Sequence, residues 1–242
     1  MKILNLGCGV KTSSSPDVIN VDWSIYLRLR RNPLGRRLAL RLLNGERLER
    51  FKGMPSNIVV HNLANGIPSE TESIDAVYHS HMLEHLDRDV APKFLLEVKR
   101  VLKPGGIQRI VVPDLQLLCR QYVRHLETCE RDSQEIPKHD SYVSAIIEQC
   151  VRKEGTGSTL QPPFRRTVEN LLRGDARRRG ETHQWMYDRV NLGFVLTELG
   201  YKNPRQQDYR TSLIPNWNDF GLDLDGQGNE YKPGSLYLEV QK

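Results

Sequence analysis

Two short stretches near the N-terminus decide the fold: Lys2-Ile3-Leu4-Asn5-Leu6, running straight into Gly7-Cys8-Gly9, and Val18-Ile19-Asn20-Val21, ending at Asp22. The first reads as a buried strand that stops in a tight glycine turn, where the missing Cβ lets the backbone approach a ligand closely. The second is another apolar strand with a carboxylate at its tip, placed to accept hydrogen bonds from both hydroxyls of a ribose. Residues 57–61, 74–79 and 107–112 are three further strands by the same pattern. Between the last two, Phe94, Leu95, Val98, Val101 and Leu102 mark one face of a helix. It starts near Ala91-Pro92, where proline suits the first turn, and Lys103-Pro104-Gly105-Gly106 stops it. Strands alternating with helices need crossover connections, so the pattern predicts an α/β fold with a mostly parallel sheet. Ligands bind beyond the carboxyl ends of such strands, and the residues just after each strand are where chemistry is expected.

Working outward, the pattern changes after Pro113-Asp114. Residues 115–180 are rich in Arg, Glu and Gln, with helical stretches at 115–130, 140–153 and 165–179 and a loop at Gly155-Thr156-Gly157-Ser158. Asp188 reads as the N-cap of a helix running to Leu199, and strand-like segments follow at 205–211 and 235–240.

The chain has 242 residues, 38% of them hydrophobic, 18 Gly and 13 Pro. That share builds a core and excludes disordered and fibrous classes. No apolar run approaches the roughly 18 residues that would span a bilayer. The first strand meets Gly7 too soon for a signal peptide, so the expected location is the cytoplasm. Cys8, Cys119, Cys129 and Cys150 contain no CxxC pair, which predicts free thiols and neither a disulfide frame nor a zinc site. The net charge of +5 is unevenly spread. Residues 28–52 carry nine Lys and Arg against two acids, and residues 152–179 eight against three, on an otherwise acidic body. Such segments face either plain solvent or an anionic partner; for the Leu- and Arg-rich 28–52 stretch, an anionic membrane surface is the candidate. No stacking aromatics interleave with them, so nucleic acid is not the expected partner.

A dinucleotide would need a third glycine at position 12 and a helix to receive its pyrophosphate. Position 12 is Thr12, and Pro16 leaves little room for a helix before the second strand. A nicotinamide oxidoreductase is therefore disfavoured, and a phosphate-free nucleoside bearing a sulfonium charge fits better. In order along the chain come Leu4-Asn5-Leu6-Gly7-Cys8-Gly9, Val21-Asp22, Ser73-Ile74-Asp75-Ala76-Val77-Tyr78, His81-Met82-Leu83-Glu84-His85-Leu86 and Val101-Leu102-Lys103-Pro104-Gly105-Gly106. Together these resemble the class I S-adenosylmethionine-dependent methyltransferases, especially compact ones found near glycan and natural-product genes.

The resemblance implies a Rossmann-like, mostly parallel seven-stranded sheet with helices on both faces and a helical insertion. It divides the chain into a cofactor-binding core (1–114), a cap (115–182) and a C-terminal helix with antiparallel strands completing the sheet (183–242). S-adenosylmethionine is the implied cofactor, with Gly7, Cys8 and Gly9 beneath its methionine part and Asp22 on its ribose. Trp23 either stacks beside adenine or is a core tryptophan. Asn62 and Leu63 occupy the adenine-facing turn, with Asn62 in place of the usual acid, and His79 and Ser80 face the methionyl portion. The usual helices before the first strand and between the first two are both missing, so either 28–52 or the cap is expected to close the site.

Methyl transfer to a hydroxyl needs a base, which points to histidine. His81 is the candidate nearest the reacting centre. On a helix it would share a face with His85, four residues on and next to Glu84. A His81/His85 metal pair lacks the acid placement of HExxH, so no metal is expected. His183, in His183-Gln184-Trp185-Met186-Tyr187-Asp188, is a second candidate, Asp114 a further pocket-facing acid, and 231–235 a polar, aromatic stretch suited to sugars. The expected activity is methylation of a small-molecule or glycan acceptor, at oxygen. The alternative is a non-catalytic member that binds the cofactor or a partner through the same fold.

Overall fold

The computed structural model describes residues 1–149 and 182–242. The predicted helix over 165–179, the end of that over 140–153, the 155–158 loop, Cys150 and the basic 152–179 segment lie outside the described residues.

Strands β1 (Ile3–Leu6), β2 (Val18–Asp22), β3 (Ile58–Val60), β4 (Ile74–Ser80), β5 (Leu102–Pro113), β6 (Lys202–Gln207) and β7 (Ser235–Gln241) form one seven-stranded sheet. Its order is β3-β2-β1-β4-β5-β7-β6. The first five run parallel, and β7 lies antiparallel between β5 and β6. β1 is central and buried along its whole length, which is why it reads as a continuous apolar run and does not alternate. Residues 7–17 join β1 to β2 without a helix. Helices α1 (Ile25–Arg31), α2 (Pro33–Leu42) and α3 (Gly45–Lys52) connect β2 to β3, and α4 (Ala91–Val101) connects β4 to β5. After β5 come α5 (Leu115–Arg131), α6 (Ile136–Gln149) and α7 (Arg189–Glu198).

The predicted fifth strand begins earlier than its apolar run suggests. Leu102 is already extended, and Lys103-Pro104-Gly105-Gly106 forms the irregular first part of β5, the ladder jumping from Ile74↔Leu102 to Ala76↔Ile107. The proline and the positive φ of Gly105 end α4 as expected, but without a separate loop.

On one face of the sheet, Leu4, Leu6, Val77, Ile110 and Leu238 pack with Phe94, Leu95 and Val98 of α4 and Leu192 and Leu196 of α7. Among the described residues, no long helix lies over the centre of the opposite face. Ile3, Val18, Ala76, Tyr78, Val111 and Tyr237 are covered there by Ile214, Leu222 and a short 3-10 turn, Trp217–Phe220. The irregular segment between β6 and β7 thus covers strands that lack a β1–β2 crossover helix. Arg109 of β5, fully buried, fastens it: its guanidinium donates to Asp223 at 2.8 Å, Glu239 at 2.7 Å and the carbonyls of Asp208 and Thr211.

Candidate active site

The carboxyl ends of β1, β2 and β4 converge where the glycine turn sits. Gly7 (φ +64°) and Gly9 (φ +55°) are both left-handed, a conformation side chains disfavour. A Cβ on Gly7 would lie 2.8 Å from the Met82 sulfur, whereas one on Gly9 would meet nothing within 4 Å. The turn is held against β2 by Cys8 N–H donating to the Val21 carbonyl and Gly9 N–H donating to Asp22 Oδ2 at 2.8 Å. Asp22 also accepts from Ser24 N–H, so the acid at the tip of β2 has its position fixed while keeping lone pairs for a further donor. Burial, reinforced by Asp22, pushes the Cys8 thiol up to about 12.

A cavity of about 280 Å³ opens above this turn. Its walls are Asn5, Gly7 to Lys11, Tyr78, Ser80 and His81, and on the far side Tyr231 and Lys232. Lys11 ties the two sides together, donating to the Leu224 carbonyl and lying 4.5 Å over the Tyr231 ring. The cover on this side comes from Tyr231 and Lys232, in the 231–235 stretch that the sequence singles out only as suited to sugars; neither 28–52 nor 115–149 contributes a wall residue.

Several expected positions fall elsewhere. His79 points away from the cavity: fully buried, it packs edge-on against Phe94 of α4, its Nε2 accepting from the Gln108 amide. Alternation along β4 explains this, since Tyr78 and Ser80 take the cavity face. Trp23 is not a core residue; it is 44% exposed, with the Arg28 guanidinium 4.7 Å over its ring. Asn62 caps the turn Leu63–Asn65 by accepting Ala64 N–H, and neither it nor Leu63 walls this cavity. Asp114 is not a free pocket acid, because it caps α5 by accepting from Gln116 and Leu117 N–H. Asp188 caps α7 as its sequence predicts.

His81 and His85 do not share a helix face. His81 ends β4 with φ +50°, and only a 3-10 turn, Leu83–His85, follows. They nevertheless converge on Glu84, which sequence reasoning noted merely as a neighbour. Glu84 is fully buried, 3.5 Å from His81 Nδ1 and 3.9 Å from His85 Nε2, and no group among the described residues donates to either of its carboxylate oxygens. Burial pushes it up to about 8, and pulls His81 down to about 3 and His85 to about 4. His183 joins them, its ring 4.8 Å from that of His85, because Gln184 and Trp185 N–H both donate to the Glu84 carbonyl. Glu84 carries no burial signal in the sequence beyond the flanking Leu83 and Leu86.

A seven-stranded sheet of this order, with a glycine turn, an acid on the second strand tip and a cavity over the turn, is an α/β fold of the Rossmann-like class with room for a ligand at its strand ends. Residues 4–110 match the family model described as "Methyltransferase domain". Those residues are fewer than half of the chain and are similar to methyltransferase domains, and the cofactor this similarity implies is S-adenosylmethionine. The residues present fit it: open space over Gly9, a positioned carboxylate at Asp22 and a polar cavity beside both. Among solved structures, a SAM-dependent methyltransferase from Archaeoglobus fulgidus aligns over 100% of this chain and 86% of its own at 13% identity, TM-score 0.42. One from Methanosarcina mazei aligns over 100% and 92% at 18% identity, TM-score 0.42. The Burkholderia thailandensis 1,6-didemethyltoxoflavin-N1-methyltransferase, with 1,6-didemethyltoxoflavin and S-adenosylhomocysteine bound, aligns over 99% and 70% at 12% identity, TM-score 0.41. No curated protein sequence matches the chain. No helix among the described residues is long and apolar enough to cross a membrane.

Proposed function

We propose that the protein methylates an oxygen of a small-molecule or glycan acceptor, with the acceptor entering beside His81. The observation that carries this is the shared cavity, which has the glycine turn on one wall and His81, Tyr231 and Lys232 on the others. An aromatic ring and an ammonium at a polar opening suit a hydroxylated acceptor. When bound, the cofactor supplies an electrophilic methyl on a sulfonium, and its activation is its own. The chain's part is to position. Gly7, Cys8 and Gly9 present backbone to the methionine part, Asp22 takes the ribose hydroxyls, Ser80 lies along the methionyl side, and Trp23, Asn62 and Leu63 border the adenine. The acceptor oxygen would lie beside His81, which would take the acceptor's proton on an imidazole that burial holds uncharged. His85 and His183 stand behind it.

Titration calorimetry with S-adenosylhomocysteine and a tritiated-methyl assay test this together. Asp22→Ala should weaken S-adenosylhomocysteine at least about tenfold, since its carboxylate holds both turn and ribose. His81→Ala should keep that affinity and lose about 100-fold or more in turnover, the scale of a general base. Wild-type protein that binds the cofactor but methylates no hydroxylated acceptor would favour the non-catalytic alternative. The basic helices α1 to α3 leave Leu34, Leu38, Leu40 and Leu42 exposed among arginines, which supports contact with an anionic membrane surface. Sedimentation with liposomes that did not depend on anionic lipid would remove that partner.

A further inference from the structure

Around Glu84 the described residues gather hydrogen-bond acceptors, and none of them donates to its carboxylate oxygens. His85 Nδ1 lies 3.1 Å from the Thr182 carbonyl, and His183 Nδ1 lies 3.1 Å from the Gln149 carbonyl. A carbonyl only accepts, so each ring carries a proton on Nδ1, which leaves Nε2 as the nitrogen that can present a lone pair. His81 follows the same logic from its other side. Ser235 Oγ spends its hydrogen on the Lys232 carbonyl at 2.8 Å, so His81 Nε2 donates to Ser235 at 2.8 Å and leaves its lone pair on Nδ1, towards Glu84. Three imidazole lone pairs therefore surround a fully buried carboxylate that receives no hydrogen bond from any described residue. Lys232 is the cation whose field reaches Glu84, yet it donates to neither oxygen. Burial without a donor disfavours the ionised form of this carboxylate, and a bound cation would complete it.

We infer that Glu84, His85 and His183 form a divalent transition-metal site, of the zinc or iron(II) class, at the acceptor end of the cleft. One ligand atom from each already lies within 4.8 Å of the others. Tetrahedral coordination at about 2.0–2.2 Å from the ion sets ligands about 3.3 Å apart. The 3.9 Å between His85 Nε2 and Glu84 Oε1 thus needs only a small contraction of side chains. Two imidazoles and one carboxylate suit a borderline cation and leave a coordination position open for water or substrate. The backbone carbonyls on both Nδ1 atoms are the outer contacts that orient ligating histidines. Gln184 and Trp185, by donating to the Glu84 carbonyl, preassemble the site from two distant parts of the chain. With His81 at 3.5 Å from Glu84 and on the cavity wall, the open position is where an acceptor oxygen would be held. This last point rests on the methyl-transfer reading; the metal site does not.

The test uses the full chain, stripped with chelator and titrated with zinc, with cobalt(II) as a spectroscopic substitute. The expected result is one tight zinc per chain, a rise in melting temperature on binding, and a cobalt spectrum of nitrogen and oxygen ligands without thiolate charge transfer. Glu84→Gln and His183→Ala should each weaken zinc about 100-fold or more, exceeding the loss known for outer contacts alone. Cys129→Ser is the control, because His125, Cys129 and His139 are a second group with ligand atoms within 4.8 Å. No tight zinc in the wild type would overturn the proposal. So would zinc that survives His183→Ala and is lost in Cys129→Ser. His183→Ala, on a partly exposed side chain, guards against a variant that fails to fold. S-adenosylhomocysteine affinity, measured on the same samples, separates the two readings. Zinc bound without that ligand sinks the methyltransferase reading alone, and that ligand bound without zinc sinks the metal alone.

Discussion

Among the described residues, two buried charged clusters are built on opposite principles. Around Arg109 every charge has its complement. The guanidinium faces Asp223 and Glu239 and two carbonyls, Trp217 and Tyr78 donate to Asp223, and Ser212 and the Leu213 N–H donate to Glu239. Around Glu84 three lone pairs and a carboxylate face one another with no described donor to either carboxylate oxygen. The first arrangement is closed and has nothing left to offer a ligand; its work is to fix the segment between β6 and β7 over the sheet. The second is open in the chemical sense. Satisfied burial marks architecture here, and unsatisfied burial marks the place where something arrives.

The contrast can be broken most forcibly at Arg109. Arg109→Met leaves Asp223 and Glu239 buried without their cation and should cost about 3–5 kcal/mol, read as a fall in urea midpoint. A loss under about 1 kcal/mol would mean that the cover is held by Trp217 and Phe220 packing alone. Asp22→Ala comes next. Its two bonds to backbone N–H, from Gly9 and Ser24, are charge-assisted, and their loss should cost about 2 kcal/mol, alongside the cofactor affinity. Glu84→Gln sharpens the comparison because its sign should be opposite. In metal-free protein the new amide offers donors to the imidazole lone pairs in place of a carboxyl that burial already holds largely protonated, so stability should hold or rise by about 1 kcal/mol. If it falls as Arg109→Met does, the two clusters are alike and the distinction fails.

The difference between the clusters also explains what the sequence could reveal. Strands were legible because burial on two faces writes a plain apolar run, as at β1, and because glycine at positions 7 and 9 marks a conformation side chains avoid. The acid at Asp22 was legible for the same local reason. Nothing local distinguishes Arg109, an arginine in a strand, from the exposed arginines of α2, since its partners lie about a hundred residues away or more. Asp114 was misread because a helix cap and a pocket acid are the same residue type at the same strand end. His81 and His85 stood out on a helical spacing that a left-handed His81 interrupts. Glu84 went unweighted because the histidine that completes its surroundings, His183, is joined to it by backbone bonds formed only in the folded chain.

A smaller effect separates two cysteines in the same way. Cys8 is buried in the glycine turn beside Asp22, and Cys119 is exposed on α5. Burial, then the like charge of Asp22, raises the Cys8 thiol from its ordinary value of 9.0 to about 12. The thiolate is the nucleophile, so alkylation at pH 8 should label Cys119 and leave Cys8 unmodified until the protein is unfolded. The sign of the stability effect follows. The folded value lies above the unfolded one, so the protonated thiol's contribution is complete below about pH 9 and drains away as the pH climbs towards 12. Wild type should therefore lose stability relative to Cys8→Ala over that interval, measured as guanidinium midpoints at successive pH values. A difference between the two that stayed flat from pH 8 to 11 would mean that Cys8 can ionise in place. The glycine turn would then be looser, and wetter, than its closure against Val21 and Asp22 implies.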